Sequence, residues 1–485
     1  MFSDLRIMWS VAIAILLPLA VAIAIWRVLA DARTPQGSVA WVTFLLAAPW
    51  FALPAYLFFG HHKLHGYKKR RRISHQVMKK FGGYAREVAP KEARPDHAAF
   101  ARLAEMPVTG CNMLRLLVDG DETFAAIHAA IDRAQHYVLV QYYTLVADST
   151  GEAMAERLIA AAQRGVDVRL IYDGVGSYRL DQGYIARLRD AGVVVVDPRG
   201  ARGPTSRFQL NFRNHRKTTI IDGVEGFTGG LNLSDTYRSL NDTFGPWRDT
   251  HLHLQGPAVA QLQLSYVEDW HWATDEALGT RLNWMPDPEE GGADVVVVPM
   301  GPVDALDTGS LYYVTAISQA RRRVWIATPY LVPDGEVLAA LKSAALRGCD
   351  VRVLLPEGRD HWLTWLAAYS YFDELRLAGV TIWRYQPGFM HQKVILVDDD
   401  SPYQSLDELV DDDLAGVGTA NLDNRSLRLN FETMVTVFDD RFAGCVADML
   451  ERDFAACENL RTPLDEQPLW LRTGARAARL LAPVL

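Results

Sequence analysis

Cysteine is scarce. Four residues, Cys111, Cys349, Cys445 and Cys457, lie far apart in a chain of 485. That scatter excludes a dense disulfide framework and zinc-type cysteine spacing, and it points to reduced thiols in a cytoplasmic setting. There is no HExxH, no Cys–His cluster and no P-loop pattern. Zinc hydrolysis and nucleotide-driven phosphoryl transfer therefore lack their parts, and neither a metal nor another cofactor is expected. A net positive charge is also missing from most of the chain. Residues 61–80 hold eight Lys and Arg with no acid, and the first sixty hold three Arg against two Asp. With −8 overall, residues 81–485 carry −17, the wrong sign for a nucleic-acid partner.

Hydrophobic residues, by contrast, make up 49% of the chain, enough for a sizeable core and, at this length, two or three structural units. Two apolar runs dominate the start: IMWSVAIAILLPLAVAIAIW at 7–26 and SVAWVTFLLAAPWFALPAYLFFG at 38–60. Each suits a bilayer core of about 30 Å, and their prolines are tolerated in membrane helices. The first is longer than a signal-peptide core and is followed at once by the second. Residues 1–60 therefore read as a transmembrane helical hairpin with a short polar turn at 31–37. A basic juxtamembrane stem and linker follows at 61–106. Its Lys63, Lys68, Lys69, Arg70, Arg71, Arg72, Lys79 and Lys80 place the amino terminus and everything after the hairpin on the cytoplasmic side. The same cations suit anionic headgroups, at about 1 kcal/mol each.

The remainder is duplicated. YVLVQYY (137–143), RGVDVRLIYD (164–173) and AGVVVVDPR (191–199) recur in order as VWIATPY (324–330), RGCDVRVLLP (347–356) and AGVTIWRY (378–385). Short buried strands alternating with amphipathic helices indicate an α/β fold with mixed, largely parallel sheets flanked by helices. Two similar lobes are expected, at 107–285 and 286–460, hinged at the turn-rich 286–292. The stretch 461–485 carries arginines at 472, 476 and 479 among apolar residues. It reads as an amphipathic tail, lying either in the membrane interface or on the second lobe.

After its third strand each half delivers one signature. His215, Lys217 and Asp222 are followed by Gly229-Gly230-Leu-Asn232; His391, Lys393 and Asp398 are followed by Gly418-Thr-Ala-Asn421. Histidine and lysine, two apart on a strand, would point from one face into one cleft. A phosphodiester anion repels nucleophiles, so Lys217, Lys393, Asn232 and Asn421 suit its non-bridging oxygens. Two imidazoles can divide a displacement, one attacking phosphorus while the other moves the proton.

The paired HxKxxxxD motifs resemble those of the phospholipase D superfamily. Together with the two apolar runs, RNHRKTTIIDG, TGGLNLSD, WRDTH at 247–251 and NLDNRSLRLNFE at 421–432, they resemble bacterial cardiolipin synthases. The resemblance covers essentially the whole chain and implies two phospholipase D-like lobes sharing one active site. It implies His215 as nucleophile and His391 as acid and base, roles that the symmetry of the repeat leaves open. It also implies Asp249 and Glu432 as the carboxylates that orient the imidazoles. Asp222 and Asp398 are expected to brace strand ends and tie the lobes together, and Ser426 to offer a further phosphate donor.

The activity implied is phosphatidyl transfer between two phosphatidylglycerols through a phosphohistidine. It yields cardiolipin and glycerol with no activated nucleotide donor. Anionic phospholipids, phosphatidylglycerol and cardiolipin, are the expected partners, and a bacterial inner membrane the expected location. A phospholipase D using water or another alcohol is the alternative enzyme, and a lipid-binding scaffold the non-catalytic one. The second half departs from the first by 13 extra residues between histidine and asparagine, in a strongly acidic stretch at 398–413 that reads as a solvated loop.

Overall fold

The computed structural model describes residues 2–30, 35–59, 84, 86–90, 95–198, 213–241, 243–279, 281–398 and 413–485. The basic run at 61–80, the turn residues 31–34 and the acidic residues 399–412 lie outside the described residues.

The described residues 2–30 and 35–59 belong to one compact unit. Its helix Phe2–Ala30 contains the first apolar run and is the one helix, among the described residues, long and apolar enough to cross a membrane. Trp9, Ile15, Leu16 and Trp26 stand exposed on it. The second run is not one uninterrupted helix. It divides into Pro35–Ala47 and Pro49–Phe59, because Pro49 has no N–H to continue the ladder. The bond from Ala52 N–H to Ala48 O, 2.9 Å, resumes the ladder beyond the break. Ala24, Val28, Leu45, Ala52 and Tyr56 form this unit's small core.

The second unit holds both halves of the repeat. The first half contributes β1 (Thr109–Val118), β2 (Tyr137–Tyr142), β3 (Asp167–Tyr172), β4 (Val194–Val196), β5 (Thr218–Ile221), β6 (Glu225–Gly229) and β7 (Thr250–Gln255). The second contributes β8 (Ala293–Met300), β9 (Arg323–Ala327), β10 (Asp350–Pro356), β11 (Thr381–Tyr385), β12 (Val394–Asp398), β13 (Leu414–Gly418), β14 (Asn430–Phe438) and an edge strand, β15 (Cys457–Asn459). They run in the order β4-β3-β2-β5-β6-β7-β1-β8-β14-β13-β12-β9-β10-β11-β15. Each half thus lays down its strands in one order, mirrored about the β1–β8 junction. That junction is short. Thr109 faces Val295 and Asn112 faces Ala293, with an irregularity between them where Cys111 takes φ 59.

The sheets are mixed; between the numbered strands parallel pairing is limited to β2-β3-β4 and β9-β10-β11, and the other parallel pairings among the described residues span at most two residues. The expectation of largely parallel sheets is corrected on this point. Connections such as the turn from β5 to β6 carry no crossover helix, and a tight turn can join only antiparallel neighbours. Helices flank the strands on both faces. Two are capped alike: Asp148 accepts from Gly151 N–H at the start of Ser149–Gln163, and Asp334 from Val337 N–H at the start of Gly335–Leu346. Both helices exit through an Arg-Gly pair whose glycine, Gly165 or Gly348, adopts φ 91 or 99, a conformation that glycine enters without steric cost. The following Asp-Val-Arg opens β3 or β10, which is how a short repeated motif turns a helix into a core strand.

The turn-rich stretch 286–292 is a loop leading into β8, with Glu289 N–H bonded to Cys111 O at 2.9 Å. The tail resolves in favour of the second lobe. Helix Leu469–Arg479 buries Leu471, Ala475 and Ala478, packs so that a Cβ on Gly474 would lie 3.3 Å from Leu366 of helix Trp362–Leu377, and ties Arg479 to Glu374 at 2.6 Å.

Candidate active site

Each motif histidine sits on a short stretch that leaves its own half and pairs with the other. Arg213–Asn214 runs parallel to Asn430–Phe431 at the start of β14, and His215 N–H donates to Phe431 O at 2.9 Å. Phe389–Met390 runs parallel to Trp247–Arg248, and His391 N–H donates to Arg248 O at 2.8 Å. In both cases the residue after that carbonyl is the carboxylate. His215 Nδ1 therefore meets Glu432 at 2.9 Å, and His391 Nδ1 meets Asp249 at 2.9 Å. The two pairs are crossed, since each half supplies the imidazole of one pair and the carboxylate of the other.

The carboxylates are fully buried, while the imidazoles retain 12% and 7% side-chain exposure toward one cleft. Glu432 also accepts from Thr419 Oγ1 at 2.6 Å and from Asn430 Nδ2 at 3.1 Å. Asp249 accepts from Thr250 N–H at 2.8 Å, while its own N–H donates to Asp119 at 3.0 Å. The paired glycines of TGGLN now have a reason. A Cβ on Gly230 would lie 1.9 Å from Asp249 Oδ1, so no larger residue fits against that carboxylate.

The cleft, about 500 Å³, is lined by His215, His391, Asn232, Asn421 and Ser426. Asn232 is held by Thr144 N–H at 3.1 Å and donates to Tyr237 at 2.7 Å. Asn421 Oδ1 and Ser426 Oγ are buried without a hydrogen-bond partner among the described residues; such atoms are costly to leave unpaired.

Both lysines lie behind the histidines rather than beside them. Lys217 Nζ donates to His215 O at 2.6 Å, and Lys393 Nζ donates to His391 O and approaches His391 Nδ1 at 2.8 Å. Neither lysine is among the residues lining the cleft, where the motif spacing predicts them, and residues 215–217 and 391–393 lie between strands. There the backbone leaves the other half's edge to enter β5 or β12. Asp222 and Asp398, at the far ends of those strands, do not line the cleft. Asp222 accepts from the N–H groups of Gln135, His136 and Tyr137 at 2.8–2.9 Å, and Asp398 pairs with Arg323. Five residues of strand separate each from its lysine, about 16 Å.

Burial sets the titration of the centre. It lowers His215, although Glu432 opposes the shift, and lowers His391 further with help from the Lys393 charge. It brings Lys217 to about 7 and Lys393 to about 8. Burial also raises Asp249, whereas at Glu432 its upward push is outweighed by His215 and Lys217, leaving that carboxyl below its ordinary value.

Other residues at the site carry no role assigned from the sequence. Tyr237, Trp247 and Tyr330 place rings 6.0, 5.1 and 6.4 Å from His391, and Tyr143 lies 5.0 Å from His215. Asp360, which accepts from Tyr330 OH, lines the cleft, as do Arg213 and Arg425. His251, the last residue of WRDTH, is fully buried with neither ring nitrogen bonded among the described residues, and burial lowers it to about 3. It is a neutral packing ring.

Two repeated α/β halves sharing one histidine-lined cleft define the phospholipase D-like class that the paired motifs resemble. Within that class the chain belongs to the family described as cardiolipin synthase, PLD-like domain, whose model matches residues 127–245 and 313–455. It is 42% identical over 468 residues to a cardiolipin synthase A of Pseudomonas aeruginosa, covering 93% of this chain and 91% of that one. A cardiolipin synthase A of Pseudomonas fluorescens is 41% identical over 464 residues, covering 93% and 94%. The solved phosphatidylserine synthase of Haemophilus influenzae superposes with a TM-score of 0.60 over 81% of this chain and 100% of that one; at 13% identity this shows a shared fold.

Proposed function

We propose that this protein is a cardiolipin synthase that moves a phosphatidyl group from one phosphatidylglycerol to another. The observation carrying the reading is the crossed arrangement. Two imidazoles, each held by a buried carboxylate from the opposite half, face one cleft that also presents Asn232, Asn421 and Ser426.

With Glu432 accepting the Nδ1–H, the other ring nitrogen of His215, Nε2, keeps its lone pair for phosphorus. His391 gives its proton to the departing glycerol oxygen as the phosphorus–nitrogen bond forms. The free hydroxyl of a second phosphatidylglycerol then attacks. His391 takes the proton, the phosphorus–nitrogen bond breaks, and cardiolipin leaves. Glu432 lies below its ordinary value and Asp249 above it, so the two pairs are not equivalent; attack is assigned to His215 and proton transfer to His391. Exchange of one phosphodiester for another needs no activated donor.

The lipid partners are anionic phospholipids. In this reading the runs at 7–26 and 38–60 form a multi-pass anchor in a bacterial inner membrane, with the catalytic unit facing the cytoplasm. Tethering raises the effective concentration of headgroups at the cleft.

Purified protein in mixed micelles with phosphatidylglycerol alone tests the reading. Glycerol and cardiolipin should appear together, with some phosphatidic acid from water. Phosphatidic acid without cardiolipin would make the protein a phospholipase instead.

A pH dependence follows from the lysines. At Lys217, near 7, and Lys393, near 8, rising pH removes the charge that attracts a phosphodiester. Binding of that anion favours the protonated lysines and moves both titrations upward. The alkaline limb of kcat/KM, which reports the free enzyme, should therefore begin between about 7 and 8, and the limb of kcat at higher pH. Coincident limbs would contradict the assignment of the lysines to substrate charge.

A further inference from the structure

Transfer to a lipid acceptor poses a recognition problem that hydrolysis does not. The cleft must admit two phosphodiesters: the donor's, at the histidines, and the acceptor's own, which does not react. Arg213 stands two residues before His215, on the short stretch that pairs with Asn430. Alternate residues of an extended chain share a face and lie about 6.6 Å apart, the reach of a three-carbon bridge between phosphates. Both residues line the cleft.

Among the described residues the Arg213 guanidinium donates from Nη1 to Tyr143 OH at 2.7 Å, and its Nε is buried without a partner. No carboxylate pairs with it there. Arg425 reaches the same cleft from helix Asn424–Arg428, whose first residues are anchored by Asp423 accepting from Ser426 N–H at 2.6 Å and by Arg425 N–H donating to Leu485 O at 2.7 Å. The two like charges are close enough for Arg213, after burial, to lower the affinity of Arg425 for its proton. Asp423 and Glu432 offset part of that repulsion at Arg425. Two guanidiniums crowded at one wall of a cleft are stabilised by an anion that bridges them.

We propose that Arg213 and Arg425 form the acceptor-phosphate subsite, holding the second lipid's own phosphodiester so that its free hydroxyl faces the phosphorus carried on His215. The proposal rests on the transferase reading above and deepens it. In the step served, the hydroxyl oxygen bonds to phosphorus, the phosphorus–nitrogen bond breaks, and the hydroxyl proton passes to His391. The phosphate on the arginines is unchanged.

Full-length protein in phosphatidylglycerol micelles containing ethanol gives the test. Both alcohols compete for one phosphatidyl-enzyme, so the ratio of cardiolipin to phosphatidylethanol reports acceptor recognition whatever the donor rate. R213Q and R425Q should each lower that ratio by about tenfold, as expected for loss of a charge-assisted contact, while R425K retains most of it. An unchanged ratio in both glutamine variants overturns the subsite. Should the variants fail to fold, the unsubstituted enzyme still decides: glycerol 3-phosphate should outcompete glycerol as a soluble acceptor by about fivefold or more, and equal use overturns the proposal. If the unsubstituted protein yields neither cardiolipin nor phosphatidylethanol, the transferase reading falls and the subsite with it.

Discussion

His215→Ala should reduce glycerol release from phosphatidylglycerol by at least about 10⁴-fold, the scale on which removal of an attacking side chain acts. His391, the other motif imidazole of the cleft, is bonded to Asp249 and serves the proton. A loss of this size could also come from misfolding, so a positive signature matters more. Acid quenching of the wild type during turnover should trap phosphatidyl label on His215. With His391→Ala, label should build up while overall turnover falls by about 10²–10⁴. Label recovered on His391 instead would reverse the two roles. No label on either histidine, with full turnover in His215→Ala, would remove the covalent mechanism.

Glu432→Gln should cost about 10³–10⁴ in kcat while leaving the volume of the side chain almost unchanged. Glu432 accepts from His215 Nδ1, Thr419 and Asn430. An amide in its place would turn a donor toward one of these groups and favour the tautomer whose cleft-facing nitrogen is protonated. The Asp249→Asn variant should lose activity on a similar scale, but with a different trace. Glu432→Gln should suppress formation of the phosphohistidine, whereas Asp249→Asn, by disabling His391, should slow its decay more than its formation. Identical labelling in the two variants would show that the carboxylates do not divide between the two steps.

Much of this arrangement was legible before any coordinates. The segments 137–143, 164–173 and 191–199 contain β2, β3 and β4, and their copies cover β9 but for its first residue and contain β10 and β11, because a buried strand bounded by glycine and charge is a local signal. The chemistry-bearing types were legible as well: two histidines, two lysines and two asparagines repeated at similar spacing. What escaped was everything set by long-range pairing. That His215 joins Glu432 rather than Asp249 depends on Arg213–Asn214 lying along β14, a contact between residues more than two hundred apart. The spacing predicts both lysines in the cleft with the histidines, whereas their ammonium groups bond to the carbonyls of His215 and His391 and neither lines the cleft. Tyr143, Tyr237 and Tyr330 are unremarkable tyrosines until the fold collects them around two imidazoles.

The crossing of the two pairs bears on how such a chain can be divided. Sever it in the loop before β8, and each fragment keeps a histidine whose carboxylate has gone with the other piece. Neither fragment by itself can then orient a proton, however well it folds. Mixing the two would restore function only through reassembly, with every active centre recovered owing one side chain to each parent.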